Sequence, residues 1–252
     1  MTSQGFSNTS TGDAPADPYK AKNKDDDPSS VSLEDKIGTL SSFVKACKFG
    51  MMTTWKKGDN LLASRCMAVA AQVCQPFPRH LYSMYSPVSW TAKFQDWDRS
   101  SRFVLSLLCD SQESGGMDLI FHTNTESGKT DDLADDPTVN MSFLNATGEW
   151  ASISGSSEII TDRDMVKKYY SPALKAWVGD LGDGKHDGGP DDPRIGVIRV
   201  RARTITYAVN RGNFVSRGVE MVQGAVTGST PQVNRLREVN EEECTKWRAQ
   251  HS

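Results

Sequence analysis

Nothing in this chain of 252 residues approaches the 18 or more consecutive apolar residues of a membrane-spanning helix. The apolar core of a secretory signal is also missing near Met1, so the cytoplasm is the expected location. Neither sign of charge dominates: 29 Lys and Arg face 32 Asp and Glu, for a formal net charge of −3. That balance argues against a general polyanion-binding protein, so neither nucleic acid nor a membrane surface is an expected partner. Cys47, Cys66, Cys74, Cys109 and Cys244 include no C-x-x-C pair. His80, His122, His186 and His251 are scattered, without zinc-site spacing. Five aspartates between Asp180 and Asp192 lack the spacing of a calcium loop, so no metal is expected. A G-x-S-x-G elbow is absent, which removes the serine hydrolases.

What the chain does contain is a strand-to-helix turn built for an anion. A short apolar run ends at Phe121-His122-Thr123-Asn124. Ser127-Gly128-Lys129 then opens a segment with the early-helix acids Asp131 and Asp132. A helix N-terminus has unpaired N–H groups and the positive end of the dipole. Ser127 adds a hydroxyl and Lys129 a mobile point charge, which suits a phosphate. Gly128-Lys129-Thr130 also invites a P-loop NTPase reading, but the first glycine of that pattern falls at Thr123. That reading stays as a remote alternative.

Along the chain, residues 1–30 are polar and charged, too poor in apolar surface to offset ordering entropy, and read as a disordered tail. Ser32 caps a predicted helix with Leu33, Ile37, Leu40, Val44 and Cys47 on one face, ended by Gly50. Strands are predicted over 51–55, 61–71, 117–123, 138–144, 150–160 and 195–209, with a helix over 128–135. Asp162 caps a helix through Tyr170, and a short helix covers 172–178. On the last strand Arg199, Arg201 and Arg203 share a face that continues as Ile205, Tyr207 and Val209, which predicts a bulge with the arginines on a solvated outer face. Residues 238–252 read as a C-terminal helix, and the charge pattern extends that helical reading back to Asn234. Trp150 and Trp177, taken alone, read as core aromatics. Many antiparallel strands with few helices favour a small closed barrel.

Four segments in order carry a family resemblance. They are Ser64-Arg65-Cys66-Met67, the Phe121 to Lys129 turn with Asp136-Pro137-Thr138-Val139-Asn140, Glu149-Trp150-Ala151-Ser152, and Trp177 with Asp191-Asp192-Pro193. Together they resemble the pyridoxamine-phosphate-oxidase-like flavoproteins, in particular the general-stress-protein FMN-binding split barrels that include the fungal blue-light-inducible proteins. The resemblance implies a mainly β fold with peripheral helices: a six-stranded antiparallel Greek-key split barrel over residues 31–237. It implies FMN as cofactor, its phosphate held by Arg65 and Lys129 with hydroxyl donors Ser127 and Thr123. Backbone at Cys66 and Met67 is expected along the flavin ring, with His122 touching the cofactor. It further implies a homodimer with FMN, Trp150 and Trp177 at the interface. The implied function is an oxidoreductase of an unknown small substrate in a stress or light response, or else a non-catalytic flavin-binding protein. Relatives with oxidase activity often carry basic residues where this chain has Gly128 and Ala70.

Residues 73–112 have no place in that pattern: 40 residues with seven aromatics and no glycine. Removing them joins Ala71-Gln72 to Glu113-Ser114-Gly115-Gly116, a natural hairpin turn. Valine codons begin with GT and a glutamine codon can end in AG, so the segment reads as a translated, unspliced intron. The rival reading is a genuine surface excursion, a lid or dimer element. Sequencing the spliced transcript is expected to show a message without these 40 codons; one that keeps them supports the excursion.

Overall fold

The computed structural model describes residues 17–72, 116–211 and 214–251. Seven strands form one antiparallel sheet: β1 (Phe49–Lys56), β2 (Leu61–Gln72), β3 (Leu119–Asn124), β4 (Thr138–Leu144), β5 (Trp150–Ile160), β6 (Ile195–Asn210) and β7 (Asn234–Val239). They are ordered β3-β2-β1-β4-β5-β6-β7, and β3 also pairs with β6. That extra pairing, from Leu119 opposite Val200 to Asn124 opposite Ile195, closes the first six strands into a barrel. The helices are peripheral: α1 (Pro18–Asn23), α2 (Leu33–Cys47), α3 (Gly128–Asp135), α4 (Arg163–Tyr169), α5 (Leu174–Val178), α6 (Phe214–Thr227) and α7 (Glu241–His251). The sheet lacks the parallel strands that a P-loop fold needs, so the NTPase alternative falls.

Alternation along the strands fills the barrel. Met52, Phe121, Met141, Phe143, Ile153, Ile205 and Tyr207 are all buried inside. The long strand β6 changes face where the sequence predicted. Thr204 opposes Ser154 and Ala202 opposes Gly155, so Arg203 is an extra residue bulged out of the ladder. Before the bulge the even-numbered residues Ile198, Val200 and Ala202 point inward; after it the odd-numbered Ile205, Tyr207 and Val209 do. Gly155 permits the crossing, because a Cβ there would lie 2.0 Å from the Arg201 carbonyl oxygen. Arg201 and Arg203 lie exposed on the outer face, Arg203 paired with Glu241 at 2.8 Å.

One edge of β6 is shared, β3 taking residues 195–200 and β7 residues 205–210. Side chains fill the seam between them. Asp118 accepts the Ala202 N–H at 3.2 Å and Arg248 Nη2 at 3.0 Å, while Arg248 also donates to the Ala202 carbonyl. The pair completes a ladder that no described strand reaches. It also ties α7 to the barrel, with Cys244 and Trp247 buried beneath.

Three expectations are corrected. The helix read back to Asn234 is instead strand β7 up to Val239, where Val239 packs into the barrel core and Leu236 is buried on the opposite face, and becomes helical only at Glu241. Gly50 does not end α2: Lys48 caps it at φ 62°, and Gly50 lies in β1, where a Cβ would meet the Phe143 ring at 2.6 Å. The tail is ordered from Asp17 onward. Asp25 pairs with the buried Arg237 at 2.8 Å, Asp26 lies 3.5 Å from the buried Lys36, and the Asp25 N–H donates to the Leu236 carbonyl. Apolar area alone underestimated this segment, since ion pairs and backbone bonds hold it against β7. Residues 1–16 of the tail lie outside the described residues.

The 40-residue segment also falls outside them. On either side of it β2 and β3 pair antiparallel, with Gln72 opposite Leu119. Helix α6 had no sequence-based expectation. Its Val219, Val222 and Val226 are exposed.

Candidate functional site

Arg65 and Lys129 come together at one end of the barrel, brought there by two different elements. Arg65 lies on β2 with its side chain 31 % exposed. Its Nη1 donates to Thr54 Oγ1 at 2.8 Å and its Nη2 to Asp132 Oδ2 at 2.7 Å. Thr54 in turn donates to the same carboxylate oxygen at 3.1 Å. Lys129 opens α3 and donates from Nζ to Ser127 Oγ at 2.8 Å. Burial lowers the ammonium pKa from its ordinary value, and the nearby Arg65 charge lowers it further. Two cations are therefore held close enough to disfavour one another.

The turn before α3 is fixed from within. Ser127 Oγ donates to the Asn124 carbonyl at 2.7 Å, Glu126 N–H to Asn124 Oδ1 at 2.9 Å, and the Thr130 hydroxyl to the Thr125 carbonyl at 2.8 Å. Ser127 makes no capping bond to the helix it precedes. The positive end of α3 thus faces the cradle without a side-chain oxygen to satisfy it. Around Gly128 there is open space, since a Cβ there would meet nothing within 4 Å. Two cations, an uncapped helix N-terminus and room beside them fit a dianionic phosphate.

The remaining expected residues divide. Cys66 is exposed on the outer face of β2, and Met67 turns its side chain into the barrel core, so only its backbone can serve a ligand. On the side away from β1, β3 pairs with β2 only from Val69 onward. No described strand covers that edge beside Arg65, Cys66 and Met67, so its open backbone groups can meet a planar heterocycle. The Thr123 hydroxyl is buried and donates to the Asn124 carbonyl at 3.1 Å, the same oxygen that Ser127 uses. Either hydroxyl must give up that bond to donate to a phosphate.

His122 lies on the other face of β3 from Thr123. Alternation on β3 turns it outward, where its Nε2–H donates to the Tyr169 carbonyl at 2.6 Å, under α4. Burial lowers its pKa, and that bond raises it only in part. Trp177 is no core aromatic either, being 83 % exposed on α5, and Trp150 is half-buried. Thr54 and Asp132 were missed as site residues. Asp132 reads in sequence as an ordinary early-helix acid; the available signal was its position three residues after Lys129, on the same helical face.

A family profile described as pyridoxamine 5'-phosphate oxidase like matches residues 109–232. Protein bli-3 of Neurospora crassa is 48% identical over 252 residues, spanning 100% of both chains. The chain belongs to the pyridoxamine 5'-phosphate oxidase-like family. A general stress protein 26 from Jannaschia sp. CCS1 superposes with a TM-score of 0.50 at 16% identity, covering 82% of this chain and 98% of its own. A pyridoxamine 5'-phosphate oxidase-related, FMN binding protein from Nostoc punctiforme gives 0.43 at 12% identity, over 73% and 86%. The barrel is the split barrel of that family. No helix among the described residues is long and apolar enough to cross a membrane.

The convergence of the two cations has a direct readout. Arg65→Ala removes the positive neighbour, so the Lys129 titration is expected to move upward, toward 10.5. An NMR titration of the Lys129 side chain measures it, and an unmoved titration would separate the two groups.

Proposed function

We propose that this protein binds FMN, holding the phosphate between Arg65, Lys129 and the start of α3, with the flavin ring along the open edge of β2 at Cys66 and Met67. The observation that carries this reading is the pair of half-buried cations facing an uncapped helix N-terminus, in a chain of the pyridoxamine 5'-phosphate oxidase-like family. Arg65 brings a planar fork with N–H groups to spare, and Lys129 a compact charge. When bound, FMN would supply hydride and electron transfer; the protein's part is to grip, orient and shield it. We read the function as oxidoreduction of a small substrate, in keeping with the similarity to Protein bli-3 and a general stress protein 26. A protein that stores or senses flavin without turnover is the second reading. It is favoured by the commitment of His122 to the Tyr169 carbonyl on the other side of β3.

We also propose a homodimer built on the outer face of β2, β1, β4 and β5. That face carries Phe49, Met51, Leu62 and Leu144 exposed, and across its centre only small polar side chains such as Ser142 and Ser152. Apart from Glu158 near the end of β5, this face carries little charge, and a partly apolar sheet face of that kind is typical of the core of an interface. Cys66 lies on it opposite Met51, which brings the proposed ring site to the edge of the partner.

Two measurements test these readings. Arg65→Ala should weaken FMN by roughly tenfold or more while changing riboflavin little, because a charge-assisted bond to phosphate contributes about 1.5–3 kcal/mol and only FMN carries the phosphate. Equal losses for both flavins would move Arg65 out of the site. Met51→Asp should shift the protein to a monomer in sedimentation velocity, and an unchanged mass would place any interface elsewhere.

A further inference from the structure

Asp132 is a carboxylate buried inside a phosphate cradle, where a negative charge needs a reason. The residue is 8 % exposed, and its one strong partner is the guanidinium proposed to grip the ligand. We propose that Asp132 is a positioning residue: with Thr54 it locks the Arg65 fork in the orientation that receives the phosphate. This rests on the flavin-phosphate reading above and names the residues that make it work.

Geometry supplies the reason. Arg65 Nη1 reaches Thr54 Oγ1, Nη2 reaches Asp132 Oδ2, and Thr54 Oγ1 reaches Asp132 Oδ2, at 2.8, 2.7 and 3.1 Å. The three bonds close a ring, so the guanidinium plane is held at two points and cannot rotate about either. Thr54 is 1 % exposed, in the barrel interior, so the ring is anchored to the core and not to a mobile surface. An arginine left loose loses rotamer freedom when it binds; one already fixed does not. The remaining N–H groups of the fork keep no partner among the described residues and stay available to a ligand.

Asp132 also ties the two cations to one element. It follows Lys129 by three residues on α3, so both lie on the same helical face. A single helix therefore presents the second cation and anchors the first, and a shift of α3 would move both together. The carboxylate offsets one of the two positive charges, which lets them stay close.

The test uses the full chain with Asp132→Leu, Asp132→Asn and Thr54→Val, titrated with FMN and with riboflavin by flavin fluorescence. Asp132→Leu and Thr54→Val are expected to weaken FMN about tenfold, the scale of one charge-assisted bond, and riboflavin less than about twofold. Asp132→Asn keeps an oxygen that accepts from Arg65 and is expected to restore most of the FMN affinity. Equal losses for the two flavins, an Asn variant as weak as Leu, or no loss in Leu each overturn the proposal. If Asp132→Leu does not fold, Thr54→Val, of nearly the same shape, decides by the same comparison. Wild-type protein that binds neither flavin sinks the flavin reading alone. The thermal shift given by inorganic phosphate then decides: present in wild type and Asp132→Asn but absent in Asp132→Leu, it upholds the role of Asp132. No shift in wild type, or an equal shift in all three, removes that role.

Discussion

The pairing of β3 with β6 is the constraint on which the rest of the molecule depends. Without it the six strands would be an open sheet with two long edges; with it Phe121 and Ile198 meet inside a closed core. The same pairing fixes where β3 ends. At Asn124 the chain leaves the barrel, turns through Ser127 and starts α3, so the helix N-terminus lies at the barrel end that β1 and β2 present with Thr54 and Arg65. Closure of the sheet is thus what brings a side chain from β2 to one from α3.

That meeting creates electrostatic strain and contains it. Lys129 is half-buried beside another cation, which disfavours its charge, and Asp132 pairs with Arg65 at 2.7 Å. A similar logic recurs at the opposite edge. Asp118 and Arg248 fill the gap between β3 and β7, and Asp25, Asp26, Lys36 and Arg237 fasten the segment after α1 to β7. In each place a short strand ladder runs out and a partly buried ion pair continues the work of binding backbone to backbone. Such pairs hold because their remaining donors and acceptors are also met, as with Lys36 on the Glu238 carbonyl.

Much of the fold was legible in local pattern. Strands β4 and β5 and helix α3 have the boundaries that alternation and capping signals indicate, and Ser32 and Asp162 cap α2 and α4 through their side chains. The bulge at Arg203 could be read from a face that turned from charged to apolar. Misreadings came where the decisive partner was distant. β7 looks helical because its charges fall at helical spacing, and only the edge of β6 makes it a strand. The segment from Asp17 looked too polar to order because its partners, Arg237 and Lys36, are remote in sequence. The bond of His122 to the Tyr169 carbonyl was not legible either, since its partner is 47 residues away.

The sequence by itself determined which residues could carry a phosphate, because a guanidinium, an ammonium and a helix start are local chemical facts. It determined the barrel class as well, through strand number and alternation. Tertiary structure decided which of those groups act together and what holds them. Arg65 and Lys129 are brought together by barrel closure, and Asp132, an ordinary helical acid in one dimension, becomes the anchor of Arg65 in three. The reason is physical: propensity and capping act over a few residues, whereas a charge pair in a buried site depends on distances that only the closed chain fixes.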